Sequence, residues 1–228
     1  WFAKIPHRTG WKGEMRYGLL NDIRRLNKKT YPLMVERFAS LALPKNATLP
    51  KNIPYPVLMT DNEKATQFAK QLGLTSGRKV LVLCPGAEFG PSKKWPEKYY
   101  AAVAASKIAD GWQVWLLGSQ KDKQVGQKIN NLLPLADRVH IHNLAGETHL
   151  DEAIDLLSIA DVVVSNDSGL MHISAALGRP LIVLYGSTSP GFTPPLNTKA
   201  IMMSIPVDCG PCFKRECPIK NMKCLEDL

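Results

Sequence analysis

A chain of 228 residues with 45% apolar and 21% charged side chains has room for one large domain, or for one domain plus a piece of another, and is too apolar to stay disordered. No uninterrupted apolar run approaches the roughly 18 to 20 residues of a membrane-spanning helix and no signal peptide opens the chain, so it reads as soluble and cytoplasmic. The formal charge of +9 is unevenly placed: residues 1–57 carry 11 Lys and Arg against 3 Asp and Glu, a net of +8, and this first quarter is expected either to meet an acidic partner or to be a solvated face.

In chain order, Pro6 to Asn21 mixes Gly10, Gly13 and Gly18 with aromatic and basic residues and reads as loop followed by a short turn of helix. Tyr31 to Leu43 places Leu33, Met34, Phe38 and Leu41 on one face of an amphipathic helix. Pro44 to Pro56, with four prolines and little periodicity, reads as a linker. From Val57 the texture changes to repeated αβ units: helix Asp61 to Leu72 behind an Asp cap, strand Val80 to Leu83, helix Pro96 to Ala109, strand Val114 to Leu117, helix Lys121 to Leu133, a short strand at Val139 to Ile141 and helix Leu150 to Ile159. Strand Val162 to Val164, a helix through Leu170, Ile173, Ala176 and Leu177, and strands Ile182 to Leu184 and Ala200 to Met203 complete the pattern. Strands alternating with helices predict an α/β fold, a parallel sheet covered on both faces.

Ala160 to Tyr185 organises the rest. A buried strand that feeds a helix through S-N-D-S-G aims unpaired N–H groups and the positive end of the helix dipole at the strand's carboxyl edge, where α/β sheets bind phosphates. Gly169 lets a ligand approach the backbone and Asp167 projects toward it; in the plainer reading Asp167 or Ser168 only caps the helix and His172 packs on its neighbours. Four further small-residue loops share that edge: P-G-A-E-F-G-P-S-K-K-W-P from Pro85, with Lys93 and Lys94 suited to a diphosphate; G-S-Q-K-D after Leu117; N-L-A-G-E-T from Asn143; and Gly186 to Pro195. There is no G-x-G-x-x-G fingerprint, P-loop or G-x-S-x-G elbow, which removes the main support for a dinucleotide dehydrogenase, a nucleotide hydrolase or a serine esterase.

Cys209, Cys212, Cys217 and Cys224 fall within sixteen residues, while Cys84 sits in a strand as core. The cluster reads either as a tetrathiolate metal site, structural zinc, or through C-G-P-C as a redox pair, with disulfides disfavoured in a cytosolic chain.

Taken together, P-H-R-T-G-W-K-G-E-M-R-Y-G-L-L-N, P-G-A-E-F-G-P-S-K-K-W-P, N-L-A-G-E-T, N-D-S-G-L-M-H and the Tyr185 to Pro195 loop resemble the ADP-heptose:lipopolysaccharide heptosyltransferases, glycosyltransferase family 9. The resemblance covers nearly all of the chain to about residue 200. It implies GT-B architecture, two Rossmann-like domains facing across a cleft, with residues 1–56 the end of the acceptor-side domain plus linker and 57–228 the nucleotide-sugar domain. It implies that Ser168, Gly169, Leu170 and Met171 offer helix N–H groups to the ADP diphosphate beside His172, that Asp167 contacts heptose hydroxyls, that Lys93 neutralises the diphosphate, and that Gly146 and Glu147 line the same pocket. Where several relatives carry an acidic residue for the ribose this sequence has Gln120, a departure from the family pattern for which Asp122 is a poor substitute.

The family's opening strand and glycine-rich loop, whose aspartate is the expected catalytic base, have no equivalent here, so the chain reads as a fragment. The implied reaction is inverting transfer of heptose from ADP-heptose to the anionic inner core of lipopolysaccharide at the inner membrane surface, met by His7, Arg8, Lys12 and Arg16, with no cofactor required for catalysis. Two rival readings stand beside it: another nucleotide-sugar enzyme on the same fold, and a basic nucleic-acid-binding module with a zinc site, which would need a continuous basic face.

Overall fold

The structure, a computed structural model, describes residues 4–74 and 77–228; Trp1, Phe2 and Ala3, at the start of the basic first quarter, lie outside it. Two compact units emerge, one of residues 1–54 with 191–194 and one of residues 55–190 with 195–228.

In the first unit, β1 (Thr9–Trp11) and β2 (Asp22–Arg24) pair in parallel, with Thr9 opposite Asp22 and Trp11 opposite Arg24. This corrects the turn of helix expected between Pro6 and Asn21: three-residue strands carry no periodicity of their own and exist through pairing. Arg24 joins β2 to the end of α1 (Met34–Ala42), its guanidinium donating to the Ser40 and Leu43 carbonyls at 2.9 and 2.8 Å while pairing with Asp22 at 2.7 Å. The hydrogen bond from Arg24 holds the Asp22 carboxyl below the usual carboxylate range. The helix starts where the Glu36 carboxylate accepts the free Leu33 N–H at 2.9 Å, one of the unpaired donors of any helix start. Phe38, expected on its apolar face, is exposed, and Ser40 is the buried residue. The 191–194 stretch is tied to this helix by the Met34 N–H bond to the Phe192 carbonyl, 2.9 Å, and by the Arg37 guanidinium lying 4.8 Å from the Phe192 ring centroid.

The second unit is a six-stranded all-parallel sheet. Its elements are α2 (Asn62–Gln71), β3 (Val80–Cys84), α3 (Glu97–Ala109), β4 (Gln113–Leu116), α4 (Lys123–Leu132), β5 (Ile141–Asn143), α5 (Leu150–Ser158), β6 (Val162–Asn166), α6 (Gly169–Ala176), β7 (Leu181–Leu184), β8 (Ala200–Met203) and α7 (Lys223–Glu226). The strands lie in the order β5-β4-β3-β6-β7-β8. The order reverses direction between β3 and β6, where the chain crosses from one half of the sheet to the other.

The central strands β3, β4, β6 and β7 are buried on both faces, which explains why V-L-V-L-C and V-V-V-S-N are continuous runs rather than alternating ones, while the edge strand β8 is largely exposed. Val80, Val82 and Cys84 face one core with Leu156, Leu157, Met171 and Ala175 from α5 and α6; Leu81 and Leu83 face the other with Tyr100, Ala104 and Ile129 from α3 and α4. Asp61 caps α2, accepting from the Glu63 and Lys64 N–H groups. The expected strand at Val139 to Ile141 begins only at Ile141, where the ladder with Val114 starts, and Leu135–His140 is a tight 3₁₀ run; the start of the helix expected from Lys121 is likewise 3₁₀ over Gln120–Asp122. Among the described residues no helix is long and apolar enough to cross a membrane.

Candidate functional site

The carboxyl ends of β3, β4 and β6 and the loop after β5 enclose a cavity of about 490 Å³, in the size range of small-molecule sites. It sits at the point of strand-order reversal, where open α/β sheets take ligands. Its walls come from Gly86 to Glu88, Leu117 to Ser119 with Asp122, Thr148 to Leu150 with Ala153, and Ser168 to Leu170 with Ile173. One wall is apolar, through Ala87, Leu117, Leu150, Ala153 and Ile173. Another is the N-terminus of α6, where Ser168 is the cap residue and makes no side-chain cap bond, leaving the first helical N–H groups without an acceptor from that side chain. Gly169 is exposed with open space where a Cβ would stand.

Asn166, at the end of β6, holds this edge together. It is fully buried; its amide donates to the Pro85 carbonyl at 2.7 Å, and its oxygen accepts from the Trp95 N–H at 3.1 Å and the Tyr100 hydroxyl at 3.0 Å. Sequence reasoning passed over this residue, because nothing local distinguishes a polar group whose four partners are 66 to 81 positions away.

Asp167 is 4% exposed and does not cap α6, which removes the plainer reading of it. Its Oδ2 is shared between the Lys93 ammonium at 2.7 Å and the Thr188 hydroxyl at 2.6 Å, and Lys93 also donates to the Asp167 carbonyl at 3.2 Å. Lys93, from the loop after β3, is thereby pinned to the residue next to Ser168. Met171 belongs to the core, fully buried, so only its backbone is available to a ligand. His172 is exposed on α6; partial desolvation lowers its pKa, with the Asp167 charge pulling it up and the Lys93 charge pulling it down.

Gly146 and Glu147 are not lining residues of this cavity; their neighbours Thr148 to Leu150 are. Gly146 has φ +77°, its N–H bonds the Gly118 carbonyl at 3.1 Å, and a Cβ there would fall 2.8 Å from the Gln120 Cα, so it locks the loops after β4 and β5 together. Glu147 is exposed and paired with Lys123. Asp122 lines the cavity, but its Oδ2 accepts from the Ser119 N–H at 3.0 Å and hydroxyl at 2.7 Å and its Oδ1 lies 3.5 Å from Lys94, so the carboxylate is engaged in holding its own loop. Cys84 forms part of the floor, its thiol pushed up to about 12 by burial and by the Asp122 charge, and is therefore a neutral side chain.

In the first unit, His7 and Lys12 are exposed. Both arginines expected to meet an acceptor are turned onto their own loop: Arg8 donates to the Leu19 and Ile5 carbonyls at 2.6 and 2.7 Å, and Arg16 to the Trp11 carbonyl at 3.0 Å.

Cys209, Cys212, Cys217 and Cys224 are free thiols that line one small cavity together with Ser92, Gly186 and Ser187. Among the described residues no group of three or more His, Cys, Asp or Glu side chains is arranged to hold a metal ion, so the thiols share a wall without closing into a shell.

A doubly wound parallel sheet with a ligand-sized cavity at its switch point is the Rossmann-like α/β class, and its solved likenesses are GT-B glycosyltransferases. The chain belongs to glycosyltransferase family 9 (heptosyltransferase), whose family model matches residues 1–223. It is 50% identical over 204 residues to lipopolysaccharide heptosyltransferase 2 of Escherichia coli K12, covering 87% of this chain and 59% of that protein. It is 50% identical over 212 residues to lipooligosaccharide heptosyltransferase 2 of Haemophilus influenzae Rd, covering 90% and 61%. The solved structure of E. coli ADP-heptose lps heptosyltransferase II matches with a TM-score of 0.87 at 45% identity over 99% of this chain and 70% of that one. The chain thus spans about three fifths of the length of these curated relatives.

Proposed function

We propose that this chain carries the nucleotide-sugar site of a heptosyltransferase that moves heptose from ADP-heptose to the inner core of lipopolysaccharide, working as a peripheral protein on the cytoplasmic face of the inner membrane. The observation that carries the reading is the juxtaposition of the α6 N-terminus on the cavity with Lys93 pinned to the adjacent Asp167. The apolar wall suits adenine. The N–H groups of Ser168 to Met171 and the Lys93 ammonium suit a diphosphate. The names of the relatives, which specify heptosyltransferases and in one case ADP-heptose, point to the same donor.

In an inverting transfer the acceptor hydroxyl gives its proton to a base supplied from outside these residues and attacks the anomeric carbon as that carbon's bond to the diphosphate oxygen breaks, so negative charge grows on the departing ADP. A helix N-terminus and a fixed ammonium stabilise that charge as it forms, with no metal needed for the step. Asp167 would accept hydrogen bonds from the heptose hydroxyls, and of the four basic residues expected to meet an anionic acceptor His7 and Lys12 are exposed. The expected result is that the 228-residue chain binds ADP in calorimetric titration more tightly than UDP, because a purine has more apolar surface to bury against that wall than a pyrimidine. Equal affinity for the two would remove the nucleotide assignment.

The four thiols are proposed as a structural zinc site. All four line one cavity; the backbone N–H groups of Met222, Ile219, Asn221 and Lys220 face the Cys217 sulfur and lower its pKa, while burial and the other three sulfurs raise that of Cys224, a repulsion that a bound cation would offset. About one zinc per chain is expected by metal analysis, released by chelator and on acidification, as thiolate ligands require. Absence of metal with four freely titrating thiols would end this assignment.

A further inference from the structure

The last twenty residues cross the sheet's carboxyl edge, and their contacts there fall on two serines that stand next to site residues. Ser92 is 1% exposed and Ser187 is 2% exposed. Their hydroxyls are 2.9 Å apart, and the Ser92 hydroxyl also reaches the Lys214 carbonyl. A hydroxyl has one proton, so Ser92 gives its proton to Lys214 and Ser187 donates to Ser92. The backbones repeat the connection: Ser92 N–H to the Arg215 carbonyl at 3.2 Å, Ser187 N–H to the Ser92 carbonyl at 3.3 Å, and Phe213 N–H to the Ser187 carbonyl at 2.8 Å. Three segments distant in sequence are thereby laced together.

The residue after each serine is a donor to the same atom. Lys93 follows Ser92 and Thr188 follows Ser187, and both donate to Asp167 Oδ2. The approach is close enough to need glycine. At Gly90, φ +153°, a Cβ would fall 2.5 Å from the Arg215 carbonyl oxygen; at Gly186 it would fall 2.6 Å from Leu225, which is fully buried. The far end of the segment is docked as well, the Tyr99 hydroxyl donating to the Glu226 carbonyl at 2.7 Å and Lys98 pairing with Glu226 at 2.8 Å. The segment also touches the lysine's surroundings: the Phe89 ring has the Lys93 ammonium 5.0 Å and the Arg215 guanidinium 5.7 Å from its centroid.

We propose that Ser92 is a positioning residue: through its hydroxyl the carboxyl-terminal segment Phe213 to Arg215 fixes the loop of Lys93 against that of Thr188, and so sets the geometry with which Lys93 meets a diphosphate. The inference rests on the proposed ADP site. Lys93 has a four-carbon stem with many rotamers, and a loop held on three sides confines them, so that binding does not have to order the side chain anew. The cavity of the four cysteines has Ser92 and Ser187 in its wall, which makes the shape of the cysteine segment and the placing of Lys93 one mechanical problem.

The test compares ADP and adenosine affinities of the 228-residue chain, Ser92→Ala and Ser187→Ala, each alone and combined with Lys93→Ala, with thermal unfolding alongside. Ser92→Ala is expected to weaken ADP about tenfold, a size usual for coupled neighbours, while adenosine changes less than about twofold; in the Lys93→Ala background it should cost ADP little more. Ser187→Ala, on the opposite loop, should behave alike and serves if Ser92→Ala does not fold. Equal losses for both ligands, or losses that add to those of Lys93→Ala, would show a serine that merely supports the fold and would overturn the proposal. If the unaltered chain does not bind ADP, the failure lies in the site assignment on which the proposal stands.

Discussion

Replacing Lys93 by alanine is expected to cost the fold about 3 to 5 kcal/mol and to weaken ADP far more than adenosine. The stability loss follows from burial. Asp167 is 4% exposed, and without Lys93 its Oδ2 keeps the neutral Thr188 hydroxyl but loses the ammonium that balances its charge. Breaking a buried pair by removing one partner is far more destabilising than the pair's own net contribution, because it leaves a charge uncompensated in a poor solvent. Removing the charge as well should relieve this, so Lys93→Ala combined with Asp167→Asn is expected to be more stable than Lys93→Ala alone. The ligand effect is separate: adenosine has no diphosphate and loses nothing when the ammonium goes. Chemical unfolding and calorimetry check both halves. A Lys93→Ala protein of unchanged stability would contradict the buried pair, and equal losses of ADP and adenosine would mean that the lysine acts through packing.

Asp167→Asn separates three roles. As a helix cap it would be nearly neutral, since Asn caps about as well as Asp; the cap residue is Ser168 and the Asp167 carboxylate is taken by Lys93 and Thr188, so neutrality is not expected. As the partner of Lys93 and Thr188 it accepts two charge-assisted bonds on one oxygen, and an amide oxygen is a weaker acceptor; a stability loss of about 1 to 3 kcal/mol is expected. As the proposed holder of heptose hydroxyls it should cost ADP-heptose more affinity than ADP in the same variant. Thermal unfolding reads the second role and the ratio of the two affinities reads the third. An unchanged ratio would leave Asp167 as the anchor of Lys93 alone.

The second unit was legible because doubly buried strands of a parallel sheet are short β-branched runs, and because the helices between them announce themselves by caps such as Asp61. S-N-D-S-G shows itself as a strand-to-helix turn for the same local reason. What escaped depended on distance. The strands around Thr9 and Ile23 exist only as a pair, Phe38 sits on a helix whose inward face is set by what packs on it, and Asn166 and Ser92 are small polar residues that matter through partners scores of positions away. Gly146 and Glu147 lie in the expected loop but just before its lining residues Thr148 to Leu150, since sequence locates the loop but not which of its residues face inward. Sequence shows the charge of Arg8 and Arg16 near the start but not their geometry, which is that of loop staples.

The most direct measurement is the change in backbone amide resonances of the 228-residue chain as ADP is added. The account predicts that the largest shifts fall on Gly86 to Glu88, Gly118 and Ser119, Thr148 to Leu150 and Ser168 to Leu170, with the amides of the α6 first turn moving downfield as they gain phosphate acceptors. Saturable binding whose shifts lie elsewhere, or no shifts at concentrations well above those of ordinary nucleotide sites, would contradict it.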